Sequence, residues 1–383
     1  MKMKALVAAG LLTIIVLAGL SVSAQSSKKT TAKNVIIMVP DGMGLFDVTA
    51  ARIKKNGIAG APLALETLDH VGYVRTYSAN NTVTDSAAAA SAYACGEKFD
   101  NGEVCLHTNG TPHNASLLEL AKKRGRATGL VVTSQLTDAT PAAFGAHVKS
   151  RKCQAEIARQ FVEVTRPDVM LGGGVSMFAT TKPDPCGTSG DFISAAKSAN
   201  YTVVRSAAEL KSATESRSKQ VLGLFANGGL TPEFERKSDT TEPRLPEMAR
   251  AALSMVEKNP KGFFLLIEGS QVDWGNHANN ADYQAGEMLA FDETVKAVLD
   301  WINADPKRKR ETLLIVTPDH ETGGFVLVGD ENQPKLGAFA PGWNTKGHTG
   351  GDVVFWSQGP GTERLARGVQ NTEVYRFVKS ALD

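Results

Sequence analysis

The chain has no excess charge of either sign, few cysteines and a single long apolar run. Its 383 residues carry 42 basic and 40 acidic side chains, a balance that gives no reason to expect a nucleic-acid partner. Its four cysteines form no CxxC pair, which argues against a cysteine-based zinc site. No internal repeat and no obvious linker divides the chain.

The long apolar run lies at the N-terminus and has the pattern of a signal peptide. Two lysines precede an almost wholly apolar stretch over residues 5–20, and the small residues of 22–24 suit a cleavage site. A membrane anchor is the alternative, but the run is short for a span of about 20 residues. We therefore predict a signal peptide over 1–24, a flexible lead-in over 25–33, and export to the periplasm or the extracellular medium without a stable membrane anchor.

An even number of cysteines in an exported chain suggests disulfide bonds. Three pairings of Cys95, Cys105, Cys153 and Cys186 are possible. The pairs Cys95–Cys105 and Cys153–Cys186 close the shortest loops, and we predict them. Free buried thiols are the alternative.

Short apolar runs alternate with amphipathic segments along most of the chain. The predicted strands are Asn34–Val39, Thr128–Thr133, Pro167–Leu171, Phe263–Ile267, Thr312–Val316 and Val353–Trp356. The predicted helices include a segment opened by Thr84-Asp85-Ser86, then Ser116–Arg124, Pro246–Glu257, Ala281–Ile302 and Thr372–Leu382. Such alternation predicts an α/β fold whose sheet is covered on both faces.

Residues 34–383 are predicted to form a single domain. Within it, the polar, proline-bearing residues 205–245 are expected to be surface excursions, and 329–347 a loop. The glycines at 172–174 lack the Lys-Ser/Thr of a phosphate-binding loop, so we expect a tight turn there.

Residues able to bind metals follow the predicted strands. Ligands of α/β sheets usually bind at this edge, beyond the carboxyl ends of the strands. Glu268, Asp273 and His277 leave the end of the strand at 263–267. Asp273 and His277, at i and i+4, share one face if the turn between them is helical. Carboxylates suit zinc or magnesium, and a neutral imidazole suits zinc. The segment therefore suggests a metal site.

Other strand ends carry the same residue types. Asp41 follows the first strand in Asp-Gly-Met-Gly, Asp319 and His320 follow another, and His348 precedes the last. Asp41 by itself is more often a turn residue. Together these positions offer four carboxylates and three imidazoles, a set that suits two zinc ions and one oxygen-bound magnesium.

Ser86 opens an alanine-rich helix. Asp85 or Ser86 would be a natural N-cap, which is the ordinary explanation for both residues. The alternative is functional, because a helix N-terminus favours an anionic ligand. A serine there needs a base or a metal to become a nucleophile, and the absence of GxSxG around it does not favour a Ser-His-Asp hydrolase.

Asp138 and Thr140 lie in Asp-Ala-Thr-Pro after the strand at 128–133, and Arg151 follows in Ser-Arg-Lys-Cys. Each has an ordinary explanation, as a turn or a surface charge. Arginine is nevertheless the preferred bidentate clamp for a phosphoryl group. Two metals ~4 Å apart, a serine and an arginine are typical of phosphoryl transfer.

At this point the chain resembles the alkaline phosphatase family. The motifs between Asp41 and His348 occur in family order: Val-Pro-Asp-Gly-Met-Gly, Thr-Asp-Ser-Ala-Ala, Asp-Ala-Thr-Pro-Ala-Ala with Ser-Arg-Lys-Cys, Glu-Gly-x-x-Val-Asp-x-x-x-His, Pro-Asp-His-Glu-Thr-Gly-Gly and His-Thr-Gly. The resemblance implies a three-layer α/β sandwich with a large, mostly parallel central sheet flanked by helices. It also implies a homodimer that hydrolyses phosphate monoesters and releases inorganic phosphate.

The resemblance further implies a role for each site residue. Ser86 would be the nucleophile that forms a phosphoserine, and Arg151 would clamp two phosphate oxygens. The zinc that stabilises the leaving oxygen and later activates water would be held by Asp273, His277 and His348. The zinc that activates the serine would be held by Asp41, Asp319 and His320. Magnesium would be held by Asp41, Thr140 and Glu268. Asp138 would act through a magnesium-bound water.

Trp274 stands where other family members carry Lys or His. Trp cannot offer positive charge to phosphate, although its indole N–H can donate a hydrogen bond or its ring can line the pocket. The resemblance therefore does not decide phosphate affinity or magnesium preference at this position.

Two alternatives are open. A phosphodiesterase or sulfatase of the same superfamily is the first, but the sulfatase motif is missing around Ser86, and diesterases often carry Thr as nucleophile and lack the Arg151 pattern. An exported metal- or phosphate-binding protein without turnover is the second. The intact serine argues against it, since storage needs no nucleophile.

Overall fold

The computed structural model describes residues 31–329 and 339–383. The predicted signal peptide and most of the predicted lead-in lie outside the described residues. Ala32 is buried, and its N–H donates to the Ala381 carbonyl at 2.9 Å. The last residues before the first strand therefore contact the C-terminal end of the chain. Within the described ranges, no helix combines the length and apolar composition that a membrane crossing requires.

Sixteen strands lie in the described ranges. They are β1 (Asn34–Pro40), β2 (His70–Arg75), β3 (Ala127–Gln135), β4 (Val169–Gly173), β5 (Ala179–Thr180), β6 (Gly190–Asp191), β7 (Thr202–Val204), β8 (Val221–Leu224), β9 (Phe263–Gly269), β10 (Thr312–Val316), β11 (Glu321–Thr322), β12 (Val326–Gly329), β13 (Phe339–Gly342), β14 (His348–Thr349), β15 (Val353–Gln358) and β16 (Gly368–Gln370). Every predicted strand is present, within about two residues at each end.

Thirteen α-helices lie in the same ranges. They are α1 (Leu45–Asn56), α2 (Ser86–Cys95), α3 (Leu117–Lys123), α4 (Ala139–Gly145), α5 (Gln154–Gln160), α6 (Val175–Phe178), α7 (Phe192–Ser198), α8 (Ala207–Glu215), α9 (Leu245–Val256), α10 (Gln271–His277), α11 (Ala281–Asn303), α12 (Pro306–Glu311) and α13 (Asn371–Leu382). Helices α2, α3, α9, α11 and α13 match predicted helices. α1 is the longest of the helices that the sequence analysis did not predict.

Ten strands form one sheet in the order β16-β2-β15-β10-β1-β9-β3-β4-β8-β7. All neighbouring strands pair in parallel except at β15, which is antiparallel to both of its neighbours. The parallel strands are short apolar runs because helices cover both of their faces. β1, for example, is buried along its whole length. The predicted α/β class, with a large and mostly parallel central sheet, is confirmed.

The two faces of the sheet support separate cores. Along β1, Val35, Ile37 and Val39 pack into one core, while Ile36 and Met38 pack into the other. This alternation follows from the two-residue period of a strand. Helices α2, α3, α4, α5 and α13 cover the first face, and α1, α8, α9 and α11 cover the second.

Two loop predictions are wrong in part. Residues 205–245 contain α8 and the fully buried strand β8, which pairs with β4 inside the main sheet. The second case is the loop expected at 329–347, where β13 pairs with β12 as a hairpin. The expected turn at 172–174 begins later than predicted, because Gly172 and Gly173 end β4 and only Gly174 has a positive φ, at 102°.

Both predicted disulfides are confirmed. Cys95 is bonded to Cys105, and Cys153 to Cys186. The first joins the end of α2 to the loop that follows it. The second holds the start of α5, two residues beyond Arg151, to the segment after β5.

Candidate active site

Four adjacent parallel strands, β10, β1, β9 and β3, end at the same edge of the sheet. Asp41 directly follows β1, Glu268 is the penultimate residue of β9, and Asp319 follows β10. The registers keep these ends level, since Val39 lies opposite Glu268 in the β1–β9 pair. The sheet topology therefore brings together carboxylates that lie more than two hundred residues apart in the chain.

The short helix α10 carries Asp273 and His277 directly after β9. The turn between them is helical, as predicted, so the two side chains share one face. His277 Nε2 lies 3.2 Å from Asp273 Oδ2, and His277 Nδ1 lies 2.5 Å from the Lys346 carbonyl. Because that carbonyl can only accept, Nδ1 carries the proton and Nε2 is free for a metal when the ring is neutral.

His348 reaches the same place from β14, where it lies opposite Thr322 of β11. Its Nδ1 is 2.9 Å from the Thr84 carbonyl, so the proton again belongs on Nδ1 and Nε2 is left as a possible ligand. That Nε2 is 3.7 Å from Asp273 Oδ1.

Two compact groups of possible metal ligands result. Asp41, Asp319 and His320 offer ligand atoms within 4.8 Å of one another, and so do Asp273, His320 and His348. His320 belongs to both groups, and His277 adjoins the second through Asp273. The structure thus brings together all seven carboxylate and imidazole side chains singled out in the sequence.

Several oxygens at this site are buried without a hydrogen-bond partner. They are Asp41 Oδ1, Thr140 Oγ1, Glu268 Oε2 and Asp319 Oδ2. Leaving a buried oxygen unpaired is costly, and a cation bound among these oxygens would offset that cost. Oxygen donors of this kind are those that magnesium prefers, and a mixed carboxylate and imidazole set suits zinc. The residues therefore fit both predicted metals.

The carboxylates repel one another strongly in this arrangement. Burial raises the pKa of the Asp41 carboxyl well above its usual range, and the facing Asp319 raises it further. Burial and the nearby Asp138 carboxylate raise the pKa of Glu268 to about 8. Cations placed among these groups would relieve the repulsion.

In the second group, which is Asp273, His320 and His348, the pKa of the carboxyl is lowered instead of raised. Burial alone would raise the pKa of Asp273, but its hydrogen bond to His277 and the nearby His320 hold it at about 2. Burial lowers the pKa of His320 to about 4, in spite of the adjacent Asp319. His320 is therefore a neutral imidazole at neutral pH, which is the form that binds metals.

Ser86 is the first residue of α2 and is buried. Asp85 precedes it as the N-cap, and its Oδ1 accepts the Ala88 N–H at 3.0 Å. Ser86 Oγ lies 3.1 Å from His320 Nε2, beside both ligand groups. The predicted capping role therefore falls to Asp85, and the functional role of Ser86 stays a prediction.

Arg151 faces this edge between two carboxylates. Its Nη1 is 3.3 Å from Asp85 Oδ2 and its Nη2 is 3.0 Å from Asp138 Oδ1. Burial by itself would lower the pKa of Arg151, but Asp138 and Asp85 raise it, so the guanidinium stays protonated. Gln135 Nε2 donates to the other oxygen of Asp138, Oδ2, at 3.2 Å. Asp138 is thus held in place from both sides.

Trp274 is partly buried between the two predicted zinc ligands of α10. A side chain added at Gly229 would lie 2.6 Å from its indole ring. The ring therefore packs against the backbone of the loop after β8, which approaches closely because residue 229 has no Cβ.

Two contributors to the site were missed in the sequence. Thr322 Oγ1 donates to Asp273 Oδ1 at 2.5 Å and lies 3.2 Å from His320 Nδ1, so it orients one member of each group. Asp85 pairs with Arg151 in addition to capping α2. Thr322 belongs to the Pro-Asp-His-Glu-Thr-Gly-Gly motif, but nothing in its local pattern indicates which side chains it contacts.

Known proteins are similar to this chain along most of its length. The family model described as alkaline phosphatase matches residues 32–341. Alkaline phosphatase 3 of Bacillus subtilis (strain 168) is 32% identical over 94% of this chain and 92% of its own length. Streptomycin-6-phosphate phosphatase of Streptomyces griseus is 35% identical over 99% of this chain and 96% of its own.

A solved structure extends the similarity to three dimensions. Alkaline phosphatase from the Antarctic bacterium TAB5 matches with a TM-score of 0.80 and 29% identity, covering 92% of this chain and 98% of that one. A variant of the TAB5 enzyme has been solved with magnesium bound in its M3 site.

Proposed function

Because the chain belongs to the alkaline phosphatase family, we propose that it hydrolyses phosphate monoesters and releases inorganic phosphate. The observation that carries this proposal is the position of Ser86. Its hydroxyl lies at a helix N-terminus, 3.1 Å from an imidazole shared by two groups of metal ligands. Backbone N–H groups at a helix N-terminus favour an anionic substrate.

Three metal sites are part of the proposal. Asp273, His277 and His348 would hold one zinc, and Asp41, Asp319 and His320 the other. Asp41, Thr140 and Glu268 would hold magnesium, with Asp138 acting through a bound water. When bound, such metals supply Lewis-acid stabilisation of the attacking and leaving oxygens. The unpaired buried oxygens of Asp41, Thr140 and Glu268 support the magnesium set.

The protein side chains would divide the reaction into two displacements. Ser86 Oγ would form a bond to phosphorus as the bond from phosphorus to the ester oxygen breaks, and the alcohol would depart with a proton in place of the one that Ser86 loses. Water then attacks the phosphoserine and frees phosphate, and the serine hydroxyl is restored. Arg151 would clamp two phosphate oxygens in both steps, which suits its forked geometry. Asp85 and Asp138 would keep that guanidinium in one orientation, and Trp274 would line the pocket.

The remaining proposals concern the whole chain. Residues 34–383 would form a single catalytic domain, preceded by a removed signal peptide at 1–24. Export to the periplasm or the medium is supported by the two disulfides, which persist in oxidising compartments. A homodimer follows from the family resemblance alone.

The decisive experiment compares the purified protein on a phosphate monoester, a phosphate diester and a sulfate ester, with metal analysis of the same sample. We expect the monoester to be hydrolysed fastest, with zinc and magnesium both bound. Faster diester or sulfate ester hydrolysis would replace the proposal with another activity of the superfamily.

Metal removal is the second arm of that experiment. Chelation should abolish hydrolysis of p-nitrophenyl phosphate, and zinc together with magnesium should restore it. Turnover that is insensitive to a chelator would contradict the metal-dependent mechanism. Bound metal without any turnover would instead favour the binding-protein alternative.

A further inference from the structure

Asn101 and Gly102 form a turn in the loop after α2, outside every predicted ligand set. The turn contacts two separate parts of the proposed site. One is the segment that leads into Ser86, and the other is the backbone of Arg151.

The Asn101 side chain bonds to both sides of Thr84. Its Oδ1 accepts the Asp85 N–H at 3.1 Å, and its Nδ2 donates to the Val83 carbonyl at 3.0 Å. The Asn101 side-chain amide thus forms the two hydrogen bonds that the backbone of a neighbouring strand would form with residues 83–85. The position of Asp85, and with it the start of α2, is set by this pair of bonds.

The next residue holds Arg151. The Arg151 N–H donates to the Gly102 carbonyl at 2.8 Å, while Arg151 Nη1 lies 3.3 Å from Asp85 Oδ2. Both ends of the arginine therefore depend on the same turn, the backbone through Gly102 and the guanidinium through Asp85.

The loop that carries the turn is itself attached to α2. Cys105 is bonded to Cys95, and its N–H donates to Ser91 Oγ at 2.9 Å. Val104 and Val148 exchange backbone hydrogen bonds at 3.1 and 3.0 Å, just before Arg151. The turn is thus fixed to the helix that begins with Ser86.

We propose that the Asn101–Gly102 turn is a positioning device that fixes the Arg151 guanidinium relative to Ser86. The inference rests on the proposed function, in which Arg151 binds phosphate. A phosphate clamp works only if it is held in the productive geometry, and displacements near 1 Å cost rate by large factors. Asn101 and Gly102 touch no substrate in this scheme and act through Asp85 and Arg151.

The first test is Asn101→Ala in the metal-loaded protein, with Asn109→Ala as its matched control. Asn109 also accepts a backbone N–H, that of Thr111 at 2.9 Å, but it is exposed and this bond stays within its own loop. We expect Asn101→Ala to weaken inorganic phosphate binding by about tenfold, measured by calorimetry, with a matching loss in kcat/KM on a monoester. Asn109→Ala should leave phosphate affinity unchanged.

A double-mutant cycle separates positioning from general loosening. In an Arg151→Ala background, Asn101→Ala should have little further effect on phosphate affinity, because the group it positions is gone. The same tenfold loss in both backgrounds would overturn the proposal, and so would an unchanged affinity in Asn101→Ala alone.

Gly102→Ala is the second variant and decides the question if Asn101→Ala does not fold. Gly102 has φ +91° and a Cβ there would meet nothing within 4 Å, and Gly110 in the same loop has φ +82° and equally open surroundings. Both alanine variants should lose similar stability, since L residues disfavour this conformation. Only Gly102→Ala should weaken phosphate binding, and equal phosphate affinity in the two variants would contradict the proposal.

Failure of this inference differs from failure of the proposed function. A wild-type protein that binds phosphate but hydrolyses no monoester would contradict the proposed function alone. Unchanged phosphate affinity in both turn variants of an active enzyme would contradict the positioning role alone.

Discussion

Ser86 and its surroundings illustrate how single residues acquire chemistry from the fold. The hydroxyl is buried at the start of α2, and its contact with His320 crosses 234 positions of sequence. A serine at the start of a helix is often its N-cap. Here Asp85 provides the cap, which leaves the serine hydroxyl available.

We predict that Ser86→Ala lowers kcat on a phosphate monoester by about a thousandfold or more, because the attacking oxygen is removed. Zinc content should stay near wild type, since Ser86 belongs to neither ligand group. Metal analysis beside the rate measurement checks both points. Loss of zinc from this variant would mean that Ser86 is mainly structural.

Glu268 and Glu287 offer a matched pair for testing the magnesium site. Both are buried, and burial raises the pKa of both side chains. Only Glu268 has an unpaired buried oxygen at the carboxylate cluster, whereas Glu287 Oε1 accepts the Glu233 N–H at 2.7 Å. Only one of them should therefore matter for metal binding.

We predict that Glu268→Gln weakens magnesium binding by on the order of tenfold or more, since an amide oxygen replaces a charged one. Glu287→Gln should leave magnesium affinity unchanged. Titration of the magnesium-free protein, followed by the rise in activity, measures both. Equal magnesium affinities in the two variants would remove Glu268 from the site.

At the scale of elements, local patterns predict six strands of the main sheet and the long helix α11, but they do not predict which strands become neighbours. Fully apolar runs such as β1 and β9 can only be buried strands in this context, and the predicted bounds of α11 agree with the structure to one residue. β8 was missed because it is a four-residue run, Val-Leu-Gly-Leu, inside a polar, proline-bearing stretch. Its burial comes from pairing with β4, which no local pattern contains.

Glu287 on α11 makes stability depend on pH. Burial raises its pKa from 4.5 to about 7. Because this pKa is higher in the folded state, the stabilising contribution of Glu287 is complete below about pH 4.5. The contribution is lost as the pH rises through about 7. Glu287→Gln stays neutral and keeps an acceptor for the Glu233 N–H. It should therefore become more stable than wild type, by up to about 3 kcal/mol, above pH 7.

Urea unfolding at pH 5 and pH 9 measures this difference. Glu293→Gln removes a carboxylate from the same helix at a partly exposed position beside Arg244 and is the control for the substitution itself. A stability difference between Glu287→Gln and wild type that is the same at both pH values would contradict the prediction.

At the scale of the whole molecule, the carboxylate cluster is a source of electrostatic repulsion that bound cations would relieve. Asp41, Glu268 and Asp319 converge at one sheet edge with unpaired buried oxygens, and charged groups without partners destabilise a fold. If the proposed metals bind there, the stability of the segments after β1, β9 and β10 should depend on them.

Removing the metals should lower the unfolding temperature, and added zinc should raise it again in proportion to ln(1 + [metal]/Kd). Thermal unfolding at several zinc concentrations tests this. Ser86→Ala should show the same metal-dependent shift, because it keeps every ligand. Identical midpoints for chelated and metal-loaded protein would mean that the cluster binds no stabilising cation.

The sequence by itself determined the α/β class, both disulfides, six of the ten strands of the main sheet and the choice of proposed site residues. These depend on local apolar runs, on short loop closure and on motifs that stay together along the chain. Only the tertiary structure decided that His320 adjoins both ligand groups, that Thr322 orients Asp273, and that one turn holds both Asp85 and Arg151. Such contacts join distant segments through strand order and register, and local sequence patterns do not encode that order.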